Sequence, residues 1–169
     1  MSQLSNLINW INTFNHISVN ITEGNEVYRM KRSWGKFYWI STDVTVTADT
    51  PDNKMSNIFT FCLGNCDPGE TLFNINWGGM LEISGDLPES TFTFTYIASK
   101  GQKNHIYIEQ VQTEGNNIHL ELFFDGSLIH AFKLDSAIDH EGLVVYASRP
   151  NHLPFTEFGK LENLKWGIK

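Results

Sequence analysis

The sequence contains little charge, and basic residues are the scarcer kind. Aspartate and glutamate number 19 and lysine and arginine 12, so only 18% of the residues are charged and the formal net charge is −7. Globular proteins carry roughly a quarter of their residues as charges. A general nucleic-acid-binding protein needs a basic surface to neutralise phosphates, and anionic membranes attract basic segments. The composition therefore argues against both of these classes of partner.

Long apolar runs are also missing. No run approaches the roughly 18 residues that span a bilayer, so we expect no membrane insertion. The first residues, MSQLSNLINWINTF, lack the basic segment and the long apolar core of a signal peptide. We expect a cytoplasmic or leaderless secreted protein if the sequence is full length, and an extracellular one if it is a mature segment.

Cysteine is limited to two residues, Cys62 and Cys66, in FCLGNCDPGE. Either they form a short disulfide or both stay reduced, with Cys62 buried in a strand. A zinc site is not expected, because no second Cys or His pair has the required spacing. Asn65, Asp67 and Glu70 supply three oxygen ligands in the same loop, whereas calcium takes six to eight. They are weak calcium candidates, and we expect no cofactor.

Aromatic and neutral polar residues are abundant instead. The chain has 12 Phe, 5 Trp and 5 Tyr, and its polar residues are chiefly Asn, Thr and Ser. An aromatic-rich, charge-poor composition argues against intrinsic disorder. Aromatic rings combined with amides and hydroxyls suit proteins that bind uncharged polar ligands, sugars above all.

Apolar and polar residues alternate along most of the chain. The segment TFTFTYI (91–97) has Phe92 and Phe94 on one side and threonines on the other, and Asp125-Gly126 is a hairpin turn signal. Such alternation predicts β-strands with one buried face. We predict strands over the following segments: 37–47, 57–63, 71–77, 80–84, 91–97, 105–112, 118–126, 127–134, 142–148 and 160–168.

The spacing of these strands predicts an all-β fold, an antiparallel two-sheet β-sandwich or a barrel, in one domain over 20–169. Residues 1–19 carry apolar side chains at helix-like spacing at Leu4, Leu7, Ile8, Ile11 and Phe14. We expect that stretch to form a short helix or an irregular arm packed on the sandwich.

Three stretches carry a family resemblance. They are YRMKRSWGKFYWISTDVTV followed by NIFTFCLGN, then HIYIEQVQTEGNNIHLELFFDGSLIHAF, and last GLVVYASRPNHLPFTEFGKLENLKW. Together they resemble the concanavalin A-like lectin/glucanase superfamily, which includes galectins, laminin G domains and slime-mould-type hemagglutinin lectins. The resemblance covers about residues 20–168. It implies a jelly roll that binds sugar on a concave sheet face or at its rim.

The sequence departs from the specific members of that superfamily. Galectins read galactose with a His, an Asn and an Arg on one strand, and the matching strand NIFTFCLG has neither His nor Arg. Galactose specificity is therefore not implied. The E-x-D-x-x-E run of the glucanases is also missing. Glu109 and Glu121 could face each other across strands, but a retaining hydrolase needs carboxyl groups about 5–5.5 Å apart.

Several polar and aromatic residues are candidates for contacting a sugar. Asn74 and Asn76 share one strand face, and asparagine side chains both donate and accept hydrogen bonds. Two other polar rows, an aromatic platform and a loop after the last apolar strand complete the prediction. The candidate carbohydrate-binding residues are Asn74, Asn76, Trp77, Trp34, His105, Tyr107, Glu109, His119, Glu121, Arg149, Asn151 and His152.

The predicted function is that of a non-catalytic lectin, with glycans or glycoproteins as partners and a homodimer formed along edge strands. One alternative is a protein-interaction or adhesion module on the same fold, as laminin G-like domains often are. Another is a glycoside hydrolase, in which Glu109 or Glu121 would be catalytic.

Overall fold

The structure of the protein is a computed structural model. It describes residues 11–13, 18–21, 24, 26–33, 36–48, 55–62, 66, 71–87, 90–135, 141–148 and 159–168. The regular structure in these ranges is β-sheet, apart from one 3-10 turn at Glu114–Asn116. The prediction of an all-β fold is confirmed.

Thirteen strands follow one another along the described ranges. They are β1 (Ile11–Thr13), β2 (Ser18–Asn20), β3 (Glu26–Ser33), β4 (Tyr38–Val46), β5 (Ser56–Cys62), β6 (Thr71–Trp77), β7 (Leu81–Leu87), β8 (Ser90–Tyr96), β9 (Lys103–Gln112), β10 (Ile118–Phe124), β11 (Ser127–Leu134), β12 (Glu141–Tyr146) and β13 (Gly159–Ile168). Each of the ten predicted strands has a counterpart, and β1, β2 and β3 were not predicted as strands.

The strands form two antiparallel sheets. The seven-stranded sheet has the order β1-β13-β4-β9-β10-β11, with β2 also paired to β13, and the six-stranded sheet has the order β3-β12-β5-β6-β7-β8. Strands β5 to β8 are consecutive neighbours in one sheet, and β9 to β11 are consecutive neighbours in the other. Two sheets with separate edges make a sandwich, so the structure decides against the barrel.

The core lies between the two sheets. It forms because apolar and polar side chains alternate along the strands, so that the apolar ones all point to the inner side. Apolar side chains of β4, β9, β10 and β13 in one sheet and of β5, β6 and β7 in the other form one buried cluster. Its largest fully buried members include Trp166, Phe59 and Phe73. Burying one such side chain contributes about 1.5–3 kcal/mol, so this cluster dictates which face of each strand points inward.

The predicted hairpin between β10 and β11 is present. Asp125 and Gly126 have φ values of 48° and 82°, and two consecutive residues with positive φ match a type I′ turn. The Asp125 carboxylate also accepts hydrogen bonds from the His105 backbone N–H at 2.7 Å and from the Asn104 amide at 3.1 Å. The turn is thereby fixed to β9 as well.

The helical interpretation of the N-terminal stretch is wrong over Ile11–Thr13. That segment is a strand and pairs with β13 through Ile11↔Gly167 and Thr13↔Lys165. Strand β2 pairs with the other end of β13. The backbone groups on the outer edge of β13 need partners, and an extended segment supplies them where a helix cannot. The other residues of the predicted arm, 1–10 and 14–17, lie outside the described ranges.

Gly85 lets β7 and β8 approach each other closely. A Cβ atom at this position would lie 2.8 Å from Cζ of Phe92 and 2.7 Å from the backbone oxygen of Leu72. The first neighbour is a packed ring and the second is backbone, so neither can move cheaply. The position therefore requires glycine for space.

We predict that Gly85→Ala lowers the free energy of unfolding by about 2–3 kcal/mol, because the added methyl overpacks a tight site. Gly79→Ala is the control, since a Cβ there meets nothing within 4 Å and only its φ of 88° is unfavourable. The control should cost about 1 kcal/mol. Urea unfolding followed by tryptophan fluorescence measures both, and equal losses would contradict the packing argument.

Candidate functional site

The outer face of the six-stranded sheet carries continuous rows of short polar side chains. Strand register places Thr60 beside Asn74, Asn74 beside Ser84 and Ser84 beside Thr93. A second row runs from Asn57 through Asn76 and Glu82 to Thr95. We call the centre of this surface the amide face and define it as Asn57, Thr60, Asn74, Asn76, Glu82 and Ser84.

Hydrogen bonds link the side chains of the amide face. The Thr60 hydroxyl lies 2.6 Å from Oδ1 of Asn74 and 3.0 Å from Oδ1 of Asn57. Asn57 donates from Nδ2 to Oδ1 of Asn76 at 3.1 Å, and Asn76 donates to Oε1 of Glu82 at 3.1 Å. Asn57 also lies within reach of the Phe59 and Ile75 carbonyls at 3.3 and 3.4 Å. The network fixes the orientation of each amide.

Part of the amide face is sheltered although it points away from the core. Asn57 is 2% exposed and Thr60 0%, whereas Asn74, Asn76, Glu82 and Ser84 are half-buried. Hydrogen bonds are electrostatically stronger where water is partly excluded. The Nδ2 group of Asn74 and the Oε2 atom of Glu82 make no hydrogen bond to the described residues. They can therefore bond to a ligand.

An apolar cluster borders the amide face. Tyr146 lies beside Thr60 in the register and packs with Cys62, Cys66 and Val144. The structure pairs the two cysteines as a disulfide, with 5.2 Å between their Cα atoms. This separation lies within the usual range for a disulfide. Of the two states that the sequence left open, the structure therefore favours the bonded one.

The outer face of the seven-stranded sheet brings the other predicted residues together. Glu109 lies directly opposite Glu121 on the neighbouring strand, so the predicted adjacency of these two residues is present. Nδ1 of His119 lies 4.0 Å from Oε1 of Glu121. The Tyr107 hydroxyl donates to Oε2 of Glu109 at 2.9 Å. Burial raises the pKa of Tyr107, and this hydrogen bond and the nearby Glu109 and Glu121 charges raise it further.

A second network on that face involves Ser41, Asp43 and His105. The His105 ring has Nδ1 2.6 Å from Oδ1 of Asp43 and Nε2 3.3 Å from the Ser41 hydroxyl. A β-bulge opposite Asp43 gives Asn163 a φ of 52°, and its amide donates to Oδ2 of Asp43 at 2.7 Å. Sequence reasoning did not link these three residue types, because their contacts depend on strand register.

Within the described strands, no donor for acyl transfer accompanies this Ser–His–Asp contact. Catalysis requires backbone N–H groups or similar donors aimed at a developing oxyanion. Strand β4 is paired along both edges, to β9 and β13, so its N–H groups serve the sheet. With the Lys103–Glu162 ion pair at 2.7 Å nearby, we interpret this face as a solvated surface of cross-strand pairs.

Of the remaining predicted residues, Trp77 is buried in the core and the others lie outside the described residues. Trp77 is 3% exposed and belongs to the core, so its assignment as a sugar-contacting residue is corrected. The same strand alternation that turns Asn74 and Asn76 outward turns Trp77 inward. The following candidates lie outside the described residues: Trp34, Arg149, Asn151, His152, Asn65, Asp67 and Glu70.

Sequence reasoning missed Asn57, Thr60, Glu82 and Ser84. The usable signal was the alternation in β7, where Glu82 and Ser84 separate the buried Leu81 and Ile83. In β5 every residue is buried and the register shifts between Asn57 and Phe59, which conceals the outward positions.

Within the described ranges the structure has no group of metal-ligating side chains and no helix long and apolar enough to cross a membrane.

Comparison with known proteins gives structural matches only. No family model and no curated protein matches the sequence. Endo-β-1,4-glucuronan lyase from the fungus Trichoderma reesei is similar over 91% of this chain and 80% of its own, with a TM-score of 0.59 and 14% identity. Alginate lyase Aly36B is similar over 92% and 85%, with a TM-score of 0.56 and 11% identity.

The receptor-binding domain of botulinum neurotoxin D is also similar, with a TM-score of 0.59 and 11% identity. The match covers 93% of this chain and 39% of the toxin chain, so this protein spans well under half the length of that relative. At such identities the similarity shows the fold alone. The chain has a concanavalin A-like jelly-roll fold, as its sequence resemblance implied.

We predict that the intact protein contains the Cys62–Cys66 disulfide. Under denaturing conditions it should take up no alkylating reagent before reduction and two equivalents afterwards, as measured by mass spectrometry. Closing a loop this short contributes about 2 kcal/mol in the chain-entropy model. The double variant Cys62→Ser/Cys66→Ser should lose about that much stability. Alkylation of both thiols before reduction would contradict the bonded state.

A second prediction concerns the pH dependence that Asp43 confers. Burial alone would raise the Asp43 pKa, but hydrogen bonds from Asn163 and His105 outweigh it and lower the pKa below its usual value. The unfolded chain therefore binds the proton more tightly. The resulting stabilisation is present above the unfolded pKa of about 4 and is lost as the pH falls through the folded value.

Asp43→Asn should accordingly cost about 1–2 kcal/mol at pH 7 and clearly less near pH 2.5. Glu114→Gln removes the same charge from an exposed turn and should change stability by less than about 0.5 kcal/mol at either pH. Urea unfolding at the two pH values measures both variants. An Asp43→Asn loss that does not depend on pH would contradict this assignment.

Proposed function

We propose that this chain binds carbohydrates on the amide face without altering them chemically. The observation that supports this most is the sheltered set of neutral amides and hydroxyls on the outer face of the six-stranded sheet. Such groups match sugar hydroxyls, because both sides can donate and accept. Within the described residues, the Asn74 Nδ2 group and the Glu82 Oε2 atom at the centre of this surface have no hydrogen-bond partner, so they offer a donor and an acceptor.

The network reduces the cost of binding. Thr60 holds the Asn74 amide, and Asn57 holds Asn76, so these side chains are already ordered before a ligand arrives. Immobilising a free side chain costs about 0.5–1.5 kcal/mol, and a preorganised surface avoids most of that. Tyr146 and the disulfide border the polar rows with apolar surface, and the predicted platform Trp34 remains a prediction.

The proposal includes multivalent binding. A shallow sheet face gives weak affinity for one sugar, because the hydroxyls exchange hydrogen bonds with water for hydrogen bonds with protein. Strands β8 and β11 end their sheets, and an unpaired edge strand can pair with a second copy. A homodimer joined there would raise the affinity for branched glycans or glycoproteins through avidity.

A second candidate function is glycan cleavage at Glu109 and Glu121. Their direct opposition across β9 and β10 favours it, since glycoside hydrolases use a pair of carboxylates. Two similar structures are also named as lyases, so this fold accommodates both binding and catalysis. Turnover assays distinguish the two proposals, because binding on the amide face consumes no substrate.

We expect Asn74→Ala to weaken glycan binding about tenfold, the effect of losing one or two hydrogen bonds. Glu109→Gln, on the opposite sheet, is the matched control and should bind like the wild type. A broad glycan array identifies the ligand, and calorimetric titration then compares the variants. No array signal for the folded wild type would overturn the proposal. Release of reducing ends that is abolished by Glu109→Gln would establish the second candidate instead.

A further inference from the structure

The amide face carries one carboxylate, that of Glu82, and its hydrogen bonds from Asn57 and Asn76 run toward that carboxylate. Resting on the proposed function, we infer that this face binds uncharged sugars and discriminates against sugars that carry carboxylates. Two features carry this inference. The Oε2 atom of Glu82 has no hydrogen-bond partner among the described residues, and the described polar rows contain no cation.

The hydrogen bonds of the second row all run one way. Asn57 donates to Asn76 and Asn76 donates to Oε1 of Glu82, so this chain of hydrogen bonds ends in a carboxylate. The remaining Glu82 oxygen can only accept. A ligand atom placed against it must donate, which a hydroxyl does and a carboxylate does not. An acidic sugar could satisfy the Asn74 donor but would be repelled at Glu82.

No positive charge stands in these rows to offset that repulsion. Their described members are Thr60, Asn74, Ser84, Thr93, Asn57, Asn76, Glu82 and Thr95, with Asp86 opposite Thr71 beside them. Arg29 lies on β3 at the far edge of the same sheet, four strand spacings or about 19 Å from β7. Its Nε and one Nη group donate to the two carboxylate oxygens of Glu26 at 2.9 and 2.8 Å, and the guanidinium also contacts the Tyr146 hydroxyl. Arg29 is therefore already paired with Glu26, and it lies at the Tyr146 edge of the sheet, not beside Glu82.

The test uses tetrasaccharide pairs of identical ring and linkage that differ only in a hydroxymethyl group or a carboxylate at C6. β-1,4-linked glucose and β-1,4-linked glucuronic acid form one pair, and the mannose and galactose series supply two more. Calorimetric titration of the full chain should show the neutral member binding about tenfold more tightly at low salt, with a smaller ratio at high salt.

Glu82→Gln should lower this ratio to below about threefold, because glutamine keeps the acceptor for Asn76 and removes the charge. Glu114→Gln, which removes the same charge from an exposed turn of the opposite sheet, should leave the ratio unchanged. An acidic member that binds as tightly as its neutral counterpart would overturn the inference and leave the proposed function standing. A preference that survives Glu82→Gln would overturn the role of Glu82. If no pair binds at all, this inference fails, and the signal on the broad glycan array decides separately whether the proposed function stands.

Discussion

The structure depends on one constraint, the two-residue alternation of side chains along each strand. Burying large apolar groups such as Phe59 and Phe73 between the sheets contributes about 1.5–3 kcal/mol for each side chain, and the sum over the whole core far exceeds any surface contact. Once those residues face inward, every second residue must face outward. The position of Asn74 and Asn76 on the outer face is therefore a consequence of packing Phe73, Ile75 and Trp77 on the inner side.

The same constraint explains how much could be predicted from the sequence. Ten strands and the Asp125-Gly126 turn follow from local patterns, because alternation and turn chemistry are properties of neighbouring residues. Strands β1 and β2 do not follow from such patterns, since their partner β13 lies about 150 residues further along the chain. A segment of three residues carries too little pattern to separate a strand from part of a helix.

The candidate site could be predicted only in part, because alternation is visible in the local sequence whereas strand register is not. Asn74 and Asn76 lie in a regular strand, and alternation alone places them outward. Asn57 and Thr60 lie in a strand that is buried throughout, with a register shift at Asn57. Bulges of this kind re-aim side chains, and they depend on the partner strand as much as on the strand itself. The Asn163 contact with Asp43 has the same origin, since a bulge in β13 produces it.

The outer faces of the two sheets differ in how many charged side chains they carry, which accounts for part of the low charged fraction of the sequence. The seven-stranded sheet carries the Lys103–Glu162 ion pair and the His105–Asp43 hydrogen bond, which solubilise that side of the sandwich. On the six-stranded sheet, the amide face has Glu82 as its only charged member. Charges hold water tightly, and desolvating them opposes the binding of an uncharged ligand. The proposed binding of hydroxyl groups is therefore better served by amides and hydroxyls, with a single acceptor that sets the direction of the hydrogen bonds.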